Sequence, residues 1–140
     1  MARPGSYNSL GDVEGLSIGG AEDADVRTGV TVIVAENRAV CAVDIRGGGP
    51  GTRESAALAA ENLVDAVDAV VLAGGSVYGL AAADGVAAAM GAQDKGFALI
   101  DQPGLPRSPV IPAAILYDLA NGGNKAWGDK IGSASSRESV

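Results

Sequence analysis

The chain has 140 residues, enough for one domain with a real core, and 47% of them are apolar. Its formal net charge is −7, and its ten Lys and Arg residues are scattered, which argues against a nucleic-acid partner because phosphates need a cationic face. With no histidine, no His-based triad, His general base or His-ligated zinc can be built from this chain alone.

Residues 12–20, DVEGLSIGG, read as an opening strand that ends in a glycine turn. The acidic stretch 21–28 reads as a surface loop. Val30–Val34 and Ala39–Ile45 are β-branched runs separated by Ala35, Glu36, Asn37 and Arg38, a connection of hairpin length. Both runs are apolar on both faces, so the sheet is expected to be covered on two sides. Cys41 lies inside the second run and reads as a core thiol, the one cysteine of a chain without an internal disulfide; a reducing, cytoplasmic setting fits.

After the glycines of RGGGPGT, residues 53–66 have a helical stripe in Leu58, Ala59 and Leu63. Val67–Ala73 reads as a buried strand stopped by Gly74 and Gly75. Ser76 then suits the N-cap of an alanine-rich helix running to about Ala92. Two glycines inside that helix, Gly79 and Gly85, imply that another backbone comes close, since each costs about 1 kcal/mol relative to alanine. Phe97–Ile100 reads as a short strand and Val110–Leu119 as the last strand, with Pro112 tolerable near an edge or a strand start. Residues 129–140 are polar and serine-rich and read as a disordered tail. The longest apolar runs fall short of the roughly 20 residues that a membrane-spanning helix needs, and a soluble protein is expected.

Three motifs carry chemistry. The glycines of residues 47–51 can form an anion-binding nest, or simply a tight turn with positive φ. Gly74, Gly75 and Ser76, with Tyr78 close behind, put backbone N–H groups and hydroxyls at a strand-to-helix junction, where a carboxylate, phosphate or oxyanion could sit. The junction lacks the lysine of a phosphate-binding loop, and it can equally be plain close packing. Tyr117 follows an apolar run and precedes Asp118; a tyrosine here can polarise a carbonyl, or be packing with its hydroxyl satisfied.

Taken in series, GDVEGLSIG, RTGVTVIV, AVDIRGGGPGTRE, VLAGGSVYGLAAADGV, PAAILYDL and NGGNKAWG resemble the DmpA-type family. Its members include L-aminopeptidase/D-esterases, β-peptidyl aminopeptidases and nylon-oligomer hydrolases. The resemblance covers residues 11–128 and implies an α/β fold, here an incomplete part of a four-layer αββα sandwich of the N-terminal-nucleophile-hydrolase kind. It implies a precursor that cuts itself before a Thr or Ser, whose freed α-amino group serves as base without histidine. Tyr117 matches the family's active-site tyrosine, which binds or polarises the scissile carbonyl; Gly74, Gly75, Ser76 and Tyr78 match a wall of the site or an oligomer-packing structure.

The family's cleavage signature has no counterpart in this chain. Residues 1–128 are therefore expected to be the N-terminal portion of a peptidase or amidohydrolase, inactive without a C-terminal part or β subunit. The expected substrate is a small peptide or amide, with no cofactor and no metal, and a homo-oligomeric assembly. Two other readings stay open: a non-catalytic assembly module, or a small-anion or nucleotide-binding α/β domain using the glycine-rich turns. Strands covered on two faces would leave apolar surface open if half the sandwich were absent, so the isolated chain is expected to self-associate or to need a partner.

Overall fold

A computed structural model of the chain describes residues 3–126. Its regular elements are β1 (Leu16–Asp23), β2 (Thr28–Ala39), β3 (Thr52–Arg53), β4 (Val67–Ala73), α1 (Ala82–Gly91) and β5 (Ala113–Ile115). The strands form one mixed sheet in the order β1-β2-β4-β5-β3. β1, β2 and β4 run antiparallel in turn, β4 and β5 are parallel, and β3 closes the edge antiparallel to β5. Parallel neighbours need a long crossover, and α1 lies within it. Among the described residues no helix is long and apolar enough to cross a membrane.

β4 is the centre of the sheet and its strongest β sequence. Ala69, Val71 and Ala73 point to one face, where they meet Ala82, Ala83, Val86 and Met90 of α1, together with Ile111 and Ala113. Val30, Val32 and Val34 of β2 lie opposite Ala73, Val71 and Ala69 in register and extend the same apolar layer. Alanines on both sides let the helix sit close to the sheet. Val71 and Ile111 are the largest fully buried side chains, each stabilising the fold by about 1.5–3 kcal/mol through burial.

The other face is open. Leu72 is 46% exposed and Ile18 41% exposed, although both belong to paired strands. Period-two alternation also places Ile33, Val70 and Ala114 on this face, since Ile33 pairs with Ile18 and Val70, and Ala114 with Leu72. The expected covering on two sides is met on one side only within the described residues. What the described residues form is a mixed α/β arrangement of one sheet and one helix layer.

The hairpin lies elsewhere than expected. It joins β1 to β2 through residues 24–27, and β2 continues across the predicted turn at residues 35–38, with a shift in its register against β4 between Val34 and Ala39. Asp23 is the cause: its carboxylate accepts from the backbone N–H of Asp25 and Val26 at 3.0 and 2.9 Å, and Arg27 takes a positive φ of 57°. Residues 21–23, read as loop, are strand. Ala39–Ile45, read as a strand, belongs to no strand after Ala39, and Val40, Val43 and Ile45 are exposed. Cys41 is accordingly half-buried in that segment and not part of the core.

The helix expected over 53–66 is reduced to a single 3-10 turn at Ser55–Leu58. Glu54 has a φ of 53°, off the helical path, because its carboxylate accepts the Ile111 N–H at 2.7 Å. That tertiary bond overrides the local helical preference, and Leu63 of the expected stripe is exposed. Phe97 makes only an isolated bridge to Ser108, and the last strand is confined to Ala113–Ile115. Phe97 instead lies under the Arg38 guanidinium, 5.4 Å from ring centroid to carbon. Arg38 faces Asp68, which is 3% exposed and accepts the Val110 N–H at 2.8 Å. The predicted tail at 129–140 lies outside the described residues.

Candidate functional site

At the end of β4 the chain makes a sharp left-handed turn. Gly75 and Ser76 have φ values of 86° and 54°, and a 3-10 turn, Ser76–Ala81, leads into α1. The expected cap is thereby corrected. Gly75 holds the N-cap position, Ser76 makes no side-chain cap, and the α-helix proper starts at Ala82, since Ser76 is spent on the turn itself. Gly79 is needed for the reason its sequence position suggested: a Cβ there would run into the carbonyl oxygen of Gly74.

The segment bearing Tyr117 is bonded to this turn. Leu116 donates its N–H to Ala73 O at 2.8 Å, and Ser76 donates to Leu116 O at 3.0 Å. Asp118 binds from the other side, accepting the Gly75 N–H at 2.7 Å on one carboxylate oxygen and the Thr28 hydroxyl at 2.7 Å on the other. Gly74 donates to Gly29 O at 2.8 Å, so β2 is drawn into the same knot. Three stretches far apart in sequence thus meet within a few residues of the Gly74–Gly75 turn.

Burial by itself raises the Asp118 carboxyl. The hydrogen bonds from Thr28 and Gly75 and the nearby Lys125 charge outweigh it, leaving the group below the ordinary carboxylate range. Asp118 is therefore an anion at neutral pH, with both carboxylate oxygens accepting hydrogen bonds. Gly74 has room for no side chain, because a Cβ would collide with both the Asp118 carboxylate and the Thr28 hydroxyl.

Beside this knot lies an open groove of about 540 Å³, lined by Gly20, Glu22, Thr31, Leu72, Gly74, Leu116 and Asp118 among others. It sits on the sheet face that α1 leaves bare. Tyr117 lies between two groove-lining residues, Leu116 and Asp118, and its side chain is 72% exposed. Of the site residues read from the sequence, Gly75 and Ser76 are joined to the Tyr117 segment by direct hydrogen bonds, whereas Gly74 donates to Gly29 of β2. Tyr78 stands two residues after Ser76 on the 3-10 turn and is exposed.

The glycines at residues 47–51 do not join this site by any hydrogen bond among the described residues. Gly51 abuts Ile115 and its carbonyl accepts the Ile115 N–H at 3.1 Å, a role at the sheet edge. Asp118, Thr28 and Glu22 were missed by sequence reasoning. The adjacency of Asp118 to Tyr117 was the only signal for the first; nothing local marks the other two.

The sequence profile of peptidase family S58 matches residues 8–139. This chain belongs to that family, and the DmpA-type resemblance read from its motifs is borne out. It is 42% identical over 130 residues to an uncharacterized aminopeptidase of Mycobacterium leprae (strain TN), covering 87% of this chain and 34% of that protein. An uncharacterized aminopeptidase of Mycobacterium tuberculosis (strain ATCC 25618 / H37Rv) is 43% identical over 124 residues, covering 83% of this chain and 35% of its own length. A 6-aminohexanoate-oligomer endohydrolase of Agromyces sp. (strain KY5R) is 33% identical over 119 residues, 85% of this chain and 30% of its own. The chain spans about a third of the length of these relatives.

Proposed function

We propose that this chain is the N-terminal portion of a self-cleaving peptidase or amidohydrolase acting on N-terminal aminoacyl amide or peptide bonds. In this reading the open sheet face, with Leu72 and Ile18 partly bare, packs against a second sheet supplied by the remainder of the protein, completing a four-layer αββα sandwich. The unpaired, exposed run at Val40–Ile45 supplies a further edge for that sheet. Similarity to aminopeptidases and to an oligomer hydrolase over only a third of their length supports a division of labour, in which this portion contributes scaffold and the remainder contributes the nucleophile.

The observation that carries the reading is the exposed Tyr117, whose chain neighbours Leu116 and Asp118 line a groove on the uncovered face and are fastened to the turn after β4. A phenol so placed can donate a hydrogen bond to a scissile carbonyl and stabilise the oxyanion that develops there. In this reading the base is the α-amino group of a Thr or Ser freed by self-cleavage. Homo-oligomeric assembly and a cytoplasmic location go with the same reading.

The test compares this chain with the full-length gene product that contains it, using aminoacyl p-nitroanilides. The full-length protein is expected to yield two pieces, one beginning with Thr or Ser by mass spectrometry, and to hydrolyse the substrate. The chain alone is expected to show no turnover. Hydrolysis by the chain alone, abolished by changing one of its own serines to alanine, would overturn the proposal.

A further inference from the structure

We infer that Asp118 is a positioning residue, whose carboxylate sets the place of Tyr117 by holding the Gly75 N–H and the Thr28 hydroxyl at once. The inference rests on the role proposed for Tyr117 and extends it to a neighbouring group whose two carboxylate oxygens are already engaged by the protein. Its basis is geometric. Both carboxylate oxygens are engaged, one by the turn after β4 and the other by the start of β2, each at 2.7 Å. On the opposite side of Tyr117, Leu116 is tied by its N–H to Ala73 and by its carbonyl to Ser76. The backbone of Tyr117 is thus pinned on both flanks while its side chain stays exposed.

Beyond Asp118 the chain is fixed again. Asn121 donates to Arg27 O at 2.8 Å, and Arg27 returns a bond to Asn121 O at 3.3 Å. Asn124 donates its N–H to Asp25 O at 2.8 Å, and Lys125 donates to Val26 O. The loop between β1 and β2 therefore serves as a clamp for the segment leaving the site, and the Asp118–Thr28 bond is the innermost contact of that clamp. Gly74 completes the device by offering no Cβ where the carboxylate and the hydroxyl lie. A substrate-positioning group displaced by about 1 Å can cost on the order of 100-fold in rate, which sets the scale of the expected effect.

The experiment uses the full-length gene product and steady-state hydrolysis of an aminoacyl p-nitroanilide by wild type, Asp118→Ala, Asp118→Asn, Tyr117→Phe and the Asp118→Ala/Tyr117→Phe double variant. Asp118→Ala is expected to lower kcat by roughly 10- to 100-fold with KM changed less than about 3-fold. Asp118→Asn keeps an acceptor for Gly75 and a partner for Thr28, and is expected to restore most of the loss. In the Tyr117→Phe background the alanine change is expected to cost little more, because its effect passes through the phenol. Full multiplication of the two losses, or an Asp118→Ala protein as active as wild type, overturns the inference. Tyr117→Phe with wild-type kcat instead overturns the role proposed for Tyr117. If Asp118→Ala does not fold, Thr28→Val, which removes one of the two donors, takes its place in the same cycle. It is expected to lower kcat several-fold when Tyr117 is intact and to leave it unchanged in the Tyr117→Phe background; equal losses in both backgrounds count against the inference.

Discussion

The two faces of one sheet behave as different materials. On the α1 side, Ala69, Val71 and Ala73 are buried under Ala82, Ala83, Val86 and Met90. On the other side, residues of the same strands, Leu72 above all, stand partly in solvent beside a groove. The open face also carries large apolar side chains, Ile18, Ile33, Val70 and Leu72, so hydrophobicity alone does not tell a covered face from an open one. What separates them is the presence of an opposing layer. The polar knot around Asp118 lies at the end of β4, where the bare face meets the turn.

Truncation breaks the contrast most directly. Ile111→Ala, on the finished side, is expected to cost about 2–5 kcal/mol in urea unfolding of the chain, with an unchanged slope. Leu72→Ala, on the open side, is expected to cost less than about 1 kcal/mol in chain dilute enough to be monomeric, since Leu72 is already 46% exposed there. Equal costs would mean that the open face is covered in solution. A smaller contrast is expected between two glycines. Gly79→Ala drives a methyl into the Gly74 carbonyl and should cost about 1–3 kcal/mol, whereas Gly91→Ala meets no atom within 4 Å and should be neutral or stabilising by up to about 1 kcal/mol. Thermal melting of the two variants separates them, and a harmless Gly79→Ala would refute the close approach.

The smallest effect concerns acid. The Asp118 carboxyl is held below its ordinary value of 3.8, so its contribution is fully present above that value and is lost as the pH falls through the lower folded value. Protection of the Gly75 amide from hydrogen exchange should therefore stay level from neutral pH down to the carboxylate range and decline only below it. Asp118→Asn should remove that acid-side decline. A decline of the same size in the asparagine variant would assign it to another group.

Much of the centre was legible from the chain itself. Val67–Ala73 is apolar except for Asp68 and is stopped by two glycines, and it is the central strand. Gly79 was marked by the cost of a glycine in a helical stretch, and the contact with Gly74 explains it. The periphery was misread wherever a distant partner decides. The hairpin was placed at residues 35–38 because two β-branched runs flank them, but the Asp23 carboxylate turns the chain earlier. The helix after Arg53 was undone by one bond from Glu54 to Ile111, 57 residues away. At the site, Tyr117 and the Gly74–Ser76 turn could be named, whereas Asp118 could not, since its partners stand 43 and 90 residues before it.

That last separation has a consequence in time. A ribosome adding roughly 5–20 residues per second needs on the order of 5–20 s to go from Thr28 to Asp118. Throughout that interval the β1–β2 hairpin and the Gly74–Gly75 turn exist without the carboxylate that joins them. The site therefore closes in a single late event, after every strand of the sheet has been synthesised. If, as proposed, a downstream segment covers the open face, it arrives later still, at a groove whose rim is already tied together.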